Sequence, residues 1–229
     1  MRKRKQAPRL PPAPRRHITT IVRDPELVQQ RHEQIFRAAS RVFISRGYHA
    51  ATVREIAAEA GLSLGSLYSY IRTKEDILYL VFERLTTALR ENIRLAMKGI
   101  ADPVEQIRAA LRANLQSIER YQDEILLMYQ ETKALDRDSL HLVLAGEAEY
   151  VKFFEEILEA GYQQGVFEGD PRLSADVITY LCSLVALRGW NLRRRFRSEE
   201  VRDGLIAFIL RGLGVKDEQG HAGAPLARP

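Results

Sequence analysis

From Pro25 onward, apolar residues recur at spacings of three and four, and no stretch keeps the alternation of a half-buried strand. The pattern predicts an all-α protein. Ile35, Ala38, Ala39, Val42 and Phe43 form one stripe on a first helix, with Asp24 as its N-cap, Pro25 at the first helical position and Gly47 closing it. Thr52 opens a second, short helix, and Glu55 three residues on completes a capping-box pattern. Val53, Ile56 and Ala57 face inward from it, and Gly61 stops it. Ser63 caps a third helix, from Leu64 to about Tyr70.

Longer elements follow. Thr73 starts a helix from Lys74 to about Gly99, and Asp102-Pro103 starts another that reaches about Tyr121. Further helices are predicted from about Asp123 to Lys133, from Ser139 to Gly165, after Asp170-Pro171 and from Ser198 to about Gly212. Residues 1–23 carry Pro8, Pro11, Pro12 and Pro14 without periodicity, and the segment from Val215 is rich in Gly, Pro and Ala; both are expected to be disordered tails. The expected organisation is a tail over 1–23, a DNA-binding domain over 24–73, a larger helical domain over 74–214 and a tail over 215–229.

The segment Thr52–Tyr70 has the grammar of a helix-turn-helix: two short helices, a glycine-containing turn, and a second helix with a small, polar outer face. Small residues let such a helix approach base edges in the major groove. Charge strengthens this reading. The 229 residues carry a formal +5, but residues 1–23 hold eight Lys or Arg and no acid, so the rest of the chain is net acidic. A cationic front on an acidic body fits a DNA-facing end joined to a domain with another task.

Phe43-x-x-x-Gly47-Tyr48, Thr52-Val-Arg-Glu-Ile-Ala, Ala60-Gly61-Leu62-Ser63, Leu67-Tyr68-x-Tyr70-Ile71 and Lys74-Glu-x-x-Leu78 run together as one block. This block closely resembles the N-terminal domain of TetR-family transcriptional regulators. The resemblance implies a three-helix DNA-binding domain followed by a larger domain for effector binding and dimerisation. It implies that Thr52 and Arg54 lie near phosphate or a base edge, and that Leu64, Gly65 and Ser66 enter the major groove. It further implies that Tyr68 and Tyr70 hydrogen-bond phosphates, that Ser69 lies close to bases, and that Lys74 meets the backbone. Ser63 is a helix cap first and a DNA contact second. The basic lead-in is longer than is usual for the family, and its arginines are candidates for the adjoining minor groove.

The expected partners are double-stranded DNA bearing a palindromic operator, a second copy of the chain and a small-molecule effector. In the family the last two long helices pair with their copies, here about Pro171–Arg194 and Ser198–Gly212. A two-fold protein matches half-sites about 34 Å apart. Candidate effector-site residues are Phe82, Leu111, Leu115, Met128, Tyr129, Phe153, Phe154, Leu158 and Tyr180, which favour an apolar ligand. Arg188, Trp190, Arg193, Arg194, Arg195 and Arg197 gather near the end of the penultimate helix, where cations suit the helix dipole. They also suit a phosphate-bearing effector such as an acyl-coenzyme A. Met128-Tyr-Gln-Glu-Thr-Lys133 and Ala186-Leu-Arg-Gly-Trp190 are similar to stretches of TetR-family regulators of fatty-acid metabolism. A hydrophobic drug or an aromatic metabolite is the competing effector class.

Other chemistries are not encouraged. There is no phosphate-cradling glycine loop, and the Ser, Cys and His residues are not read as a catalytic set, so the chain is not read as an enzyme and no cofactor is expected. No His-x-x-x-His spacing or histidine cluster points to a metal. One cysteine, Cys182, rules out an intrachain disulfide and fits a reducing compartment. No run approaches the roughly 18 apolar residues of a membrane span. The expected location is the bacterial cytoplasm, on the nucleoid. A ligand-independent architectural DNA-binding protein, or a corepressor-type regulator, are the alternatives left open.

Overall fold

The structure, a computed structural model, describes Ile18 and residues 20–215. Among these residues there are ten α-helices and no strand. They are α1 (Pro25–Arg46), α2 (Val53–Glu59), α3 (Leu64–Tyr68), α4 (Lys74–Ala96), α5 (Pro103–Arg120), α6 (Gln122–Glu131), α7 (Arg137–Gln163), α8 (Pro171–Leu187), α9 (Gly189–Leu192) and α10 (Ser198–Gly212). A short 3₁₀ turn, Thr132–Ala134, follows α6.

The helix starts are set by short side chains that accept orphan backbone N–H groups. Asp24 accepts from Glu26 and Leu27, Asp102 from Glu105, and Asp170 from Arg172 and Leu173. Thr73 accepts from the Asp76 N–H, and the Asp76 carboxylate accepts from Thr73 and Arg72 in return. The last helix departs from this scheme. Ser198 is its first helical residue, and the capping bond runs from the Arg197 N–H to the Glu200 carboxylate at 2.7 Å.

Two expectations need correction. The helix expected over about Pro171–Arg194 breaks at Arg188, whose φ of −115° and ψ of 12° leave the helical region. Gly189, a poor helix residue, follows directly, and the chain restarts as the single turn α9. The N-terminal tail is ordered before residue 23. Ile18 is buried and Val22 packs against the core, because Ile18-Thr-Thr-Ile-Val22 has the β-branched apolar composition that the preceding Pro/Arg stretch lacks. The rest of that tail, residues 1–17 and 19, and the C-terminal segment 216–229 lie outside the described residues.

The chain forms two compact units. The first contains the described part of Arg9–Asn92 together with Ser117–Tyr150; the second contains Ile93–Gln116 and the described part of Val151–Pro229. The helix-turn-helix therefore shares its unit with most of α4, with α6 and with the start of α7. In the first unit Phe43, Ile35, Ile56, Leu67, Ile71 and Phe82 are wholly buried in one cluster. Each such side chain contributes about 1.5–3 kcal/mol of burial. In the second unit Leu111, Leu115, Phe153, Phe154, Leu158 and Cys182 are wholly buried.

Candidate nucleic-acid interface

The turn between α2 and α3 is fixed by its own backbone. Gly61 has φ of 65°, a left-handed conformation that favours glycine, and the flanking N–H groups of Gly61 and Leu62 close onto Ala58 and Ala57 carbonyls at 3.0 and 2.9 Å. Thr52 caps α2 through a full capping box: its hydroxyl accepts from the Glu55 N–H at 3.2 Å and donates to the Glu55 carboxylate, which also accepts the Thr52 N–H at 2.8 Å. These bonds hold the Glu55 carboxyl below the usual range, and Arg46 pairs with it at 2.8 Å. Ser63 caps α3 by accepting from the Ser66 N–H at 3.1 Å.

The outer face of α3 is open. Gly65 and Tyr68 are exposed, and Leu64, Ser66 and Ser69 are half-buried. Nothing lies within 4 Å of where a side chain on Gly65 would begin. The Ser69 hydroxyl donates to the Gly65 carbonyl at 3.2 Å, while the Ser66 hydroxyl makes no bond among the described residues. Tyr70 is placed differently from Tyr68: it is only 6% exposed and joins the core. The reason is register, since Tyr70 stands three residues after Leu67 and shares its inward side.

Charge on this surface is one-sided. From Gly61 to Thr73 there is no acid, and the two acids of α2 are both occupied, Glu55 by Arg46 and Glu59 by Arg41 at 2.6 Å. Arg54 is exposed and has no ion pair among the described residues. Arg72, which the sequence pattern did not single out, is also exposed and unpaired. Lys74 is more committed: its ammonium donates to the His49 carbonyl at 3.1 Å and stands 4.5 Å above the Tyr48 ring. Tyr48 is buried and donates to Glu75 at 3.4 Å, and burial beside that carboxylate pushes its phenol far above the usual range.

The far end of α3 is held by residues that precede α1. The Ser69 carbonyl accepts from the Ile21 N–H at 3.1 Å and from the Thr20 hydroxyl at 2.9 Å. The Tyr70 carbonyl lies 3.2 Å from Nε2 of His32, a buried residue on α1 whose pKa is held below its ordinary value mainly by burial. These donors were not legible from the sequence, because they meet α3 only after the chain folds back.

A short exposed reading helix, a rigid glycine turn and an acid-free face form a surface suited to DNA. Residues 35–80 match the family described as bacterial regulatory proteins, tetR family, and residues 101–213 match the tetracyclin repressor-like C-terminal domain. The chain is 30% identical over 213 residues to the HTH-type transcriptional regulator HbdR of Aromatoleum sp. (strain CIB), covering 91% of this chain and 92% of that one. It belongs to the TetR family. This TetR-family chain is also 25% identical to the transcriptional repressor KstR2 of Mycolicibacterium smegmatis, covering 86% of this chain and 98% of the relative. Among solved structures it resembles AibR in complex with isovaleryl coenzyme A and operator DNA, with TM-score 0.66, 26% identity and coverage of 78% and 97%. Such relatives are transcriptional regulators, and this chain is a DNA-binding regulator of the same kind, not an enzyme.

The residues expected at an effector site are divided between the two units. Phe82, Met128 and Tyr129 lie in the first unit, the others in the second. Phe82 lines a cavity of about 20 Å³ with Tyr79, Thr86, Arg90, Leu142 and Val143, space for one water at most. Met128 packs against the helix-turn-helix core, and Tyr129 is largely exposed. Leu111, Leu115, Phe153, Phe154 and Leu158 are wholly buried in the second unit. Tyr180 and Trp190 stand out on the surface, at 68% and 64% exposure, and Arg188 covers the Trp190 ring at 5.7 Å. Burial pushes the Cys182 thiol up to about 12, which leaves it an inert core residue. Among the described residues no group of three metal-ligating side chains occurs, and no helix is long and apolar enough to cross a membrane.

Proposed function

We propose that this TetR-family regulator is a repressor that binds a palindromic operator as a homodimer and that an acyl-coenzyme A is its effector. Each protomer sets α3 into the major groove of one half-site, with Leu64, Gly65 and Ser66 against base edges. Arg54 and Ser69 read bases beside them, and Thr52, Tyr68 and Lys74 meet the backbone, as phosphate contacts position and base contacts specify. The observation that carries this reading is the open, acid-free face of α3 with Gly65 bare at its start. Arg72 adds a phosphate contact at its end. Tyr70 serves as a core residue that seats the helix.

Pairing is supported by α8. Its buried side carries Ala175, Ile178, Cys182 and Val185, while Leu173, Val177 and Tyr180, spaced four and three apart, form a second apolar stripe that is 66%, 48% and 68% exposed. Phe208 on the adjoining α10 is 57% exposed. Apolar surface of this extent on packed helices marks an interface, and a second copy of the chain covers it. The effector class is supported by the likeness to AibR and by the exposed arginines after α8. Release follows if the ligand binds the non-reading state more tightly. AibR was solved in complex with isovaleryl coenzyme A and operator DNA, which favours a second reading in which the ligand stays with the DNA complex and strengthens it. Anisotropy of a labelled DNA fragment from upstream of the gene, titrated with isovaleryl-coenzyme A, tests both: a fall is release, a rise is corepression, and no change refutes the effector.

A further inference from the structure

Asn114 lies on α5 in the second unit, and no part of it reaches solvent. Neither its Oδ1 nor its Nδ2 has a hydrogen-bond partner. The thiol of Cys182 faces the amide, but a thiol is a weak donor and acceptor and leaves most of the amide's capacity unused. Buried polar groups in folded proteins nearly always find partners, so an orphan of this kind needs a reason. Elsewhere in the same unit the account is closed. Thr179, its other buried polar residue among those described, donates to the Ala175 carbonyl at 2.9 Å, and Ser183 donates to the Thr179 carbonyl at 3.1 Å.

The surroundings define what could partner the amide. One turn before Asn114 are Ala110 and Leu111, and Leu115 follows it, all wholly buried. The same unit buries Phe153, Phe154 and Leu158 of α7. No charged side chain is buried anywhere in this unit among the described residues, so its interior offers no counter-ion. A carboxylate or phosphate entering there would lose its hydration without compensation. A neutral carbonyl on an apolar chain would not. It can accept from the Asn114 N–H groups, and a carboxamide can return an N–H to Oδ1.

We propose that Asn114 is the polar anchor of an effector site inside the second unit, holding the carbonyl of a neutral acyl thioester or carboxamide whose apolar chain lies among the buried leucines and phenylalanines. This rests on the acyl-coenzyme A reading above and deepens it: the group recognised inside the protein is the carbonyl, not the phosphates and not a free acid.

The test measures melting temperature and binding calorimetry on the full chain with isovaleryl-coenzyme A, free coenzyme A and isovaleric acid. The wild type should bind the thioester and ignore the acid. Asn114→Leu removes the orphan, so the ligand-free melting temperature should rise by about 2–4 °C while affinity for isovaleryl-coenzyme A falls roughly tenfold. A loss confined to the thioester assigns its carbonyl as the partner; an equal loss for free coenzyme A assigns the pantetheine amide. Asn114→Ala adds no volume and repeats the binding test should the leucine variant misfold. Unchanged affinity in both variants overturns the anchor alone, as does a site that takes isovaleric acid as well as the thioester, or a melting temperature that falls in the leucine variant because an ordered water had satisfied the amide. A wild type that binds neither thioester nor coenzyme A overturns the effector reading and the anchor with it.

Discussion

Around α3 the polar groups are exposed or half-buried and most bond to neighbours a few residues away, whereas in the second unit the one buried amide among the described residues faces only the weakly bonding Cys182 thiol. Thr52 and Glu55 bond each other, Ser63 bonds Ser66, and Ser69 bonds Gly65. What is left over at this end is surface: Arg54, Ser66, Tyr68 and Arg72 facing water. In the second unit the leftover is interior, Asn114 among aliphatic and aromatic side chains. A surface that must meet phosphates stays hydrated until it does, at small cost. An interior that must meet a ligand carries the cost of the missing partner in its free state. On the proposed reading, the difference separates a docking face from a sensing core.

The comparison can be broken most forcefully at the exposed stripe of α8. Val177→Glu with Tyr180→Glu places charge on the surface assigned to the partner copy, and should yield a monomer by sedimentation. Operator affinity should then fall by roughly 10²–10⁴-fold, since paired heads act through effective concentration. A monomeric variant that keeps full affinity would remove the two-fold account.

A smaller and more diagnostic effect is expected at Gly65. The position is helical, has an open approach and is not in the left-handed region, so Gly65→Ala should raise stability by about 0.5–1 kcal/mol. On DNA the added methyl stands where the helix backbone nears the groove, and affinity should drop about tenfold, a loss near 1.4 kcal/mol. Stability up and affinity down together, read by urea unfolding and anisotropy, would fit a groove-entering helix. Stability up with unchanged affinity would place the contact elsewhere.

The smallest effect concerns His32, whose burial lowers its pKa in the folded chain. Its folded pKa lies below the unfolded value of about 6.5, so the unfolded chain takes up a proton that the folded chain resists. Stability should therefore fall as pH drops below about 6.5 and level off beneath the folded pKa. Melting temperatures at pH 7.5 and 5.5 should separate in the wild type and draw together in His32→Gln. An unaltered pH slope in the variant would clear His32 of this role.

Legibility followed the range of the interactions. Asp24, Thr52, Ser63, Asp102 and Asp170 act on N–H groups two or three residues away, so their capping was readable from spacing alone. Tyr70 was harder because its partner on the inward face is set by the exact helical register after Leu67. The grip of Thr20, Ile21 and His32 on the end of α3 spans from 38 to 49 residues and left no local trace. The exposure of the aromatic residues was the least legible: helix register turned Tyr180 outward, and the break at Arg188 left Trp190 exposed. Asn114 passed unnoticed because one amide on an amphipathic helix that also carries Gln106 and Gln116 becomes informative only once its surroundings are known to be apolar.

The central claim, that paired α3 helices read a palindrome, is tested most directly by footprinting the full-length protein on DNA from upstream of its own gene. The account predicts two protected half-sites on one face of the duplex, related by two-fold symmetry with centres about 34 Å, one helical turn, or a multiple of it apart. Protection of a single unpaired site, or uniform protection without sequence preference, would contradict it.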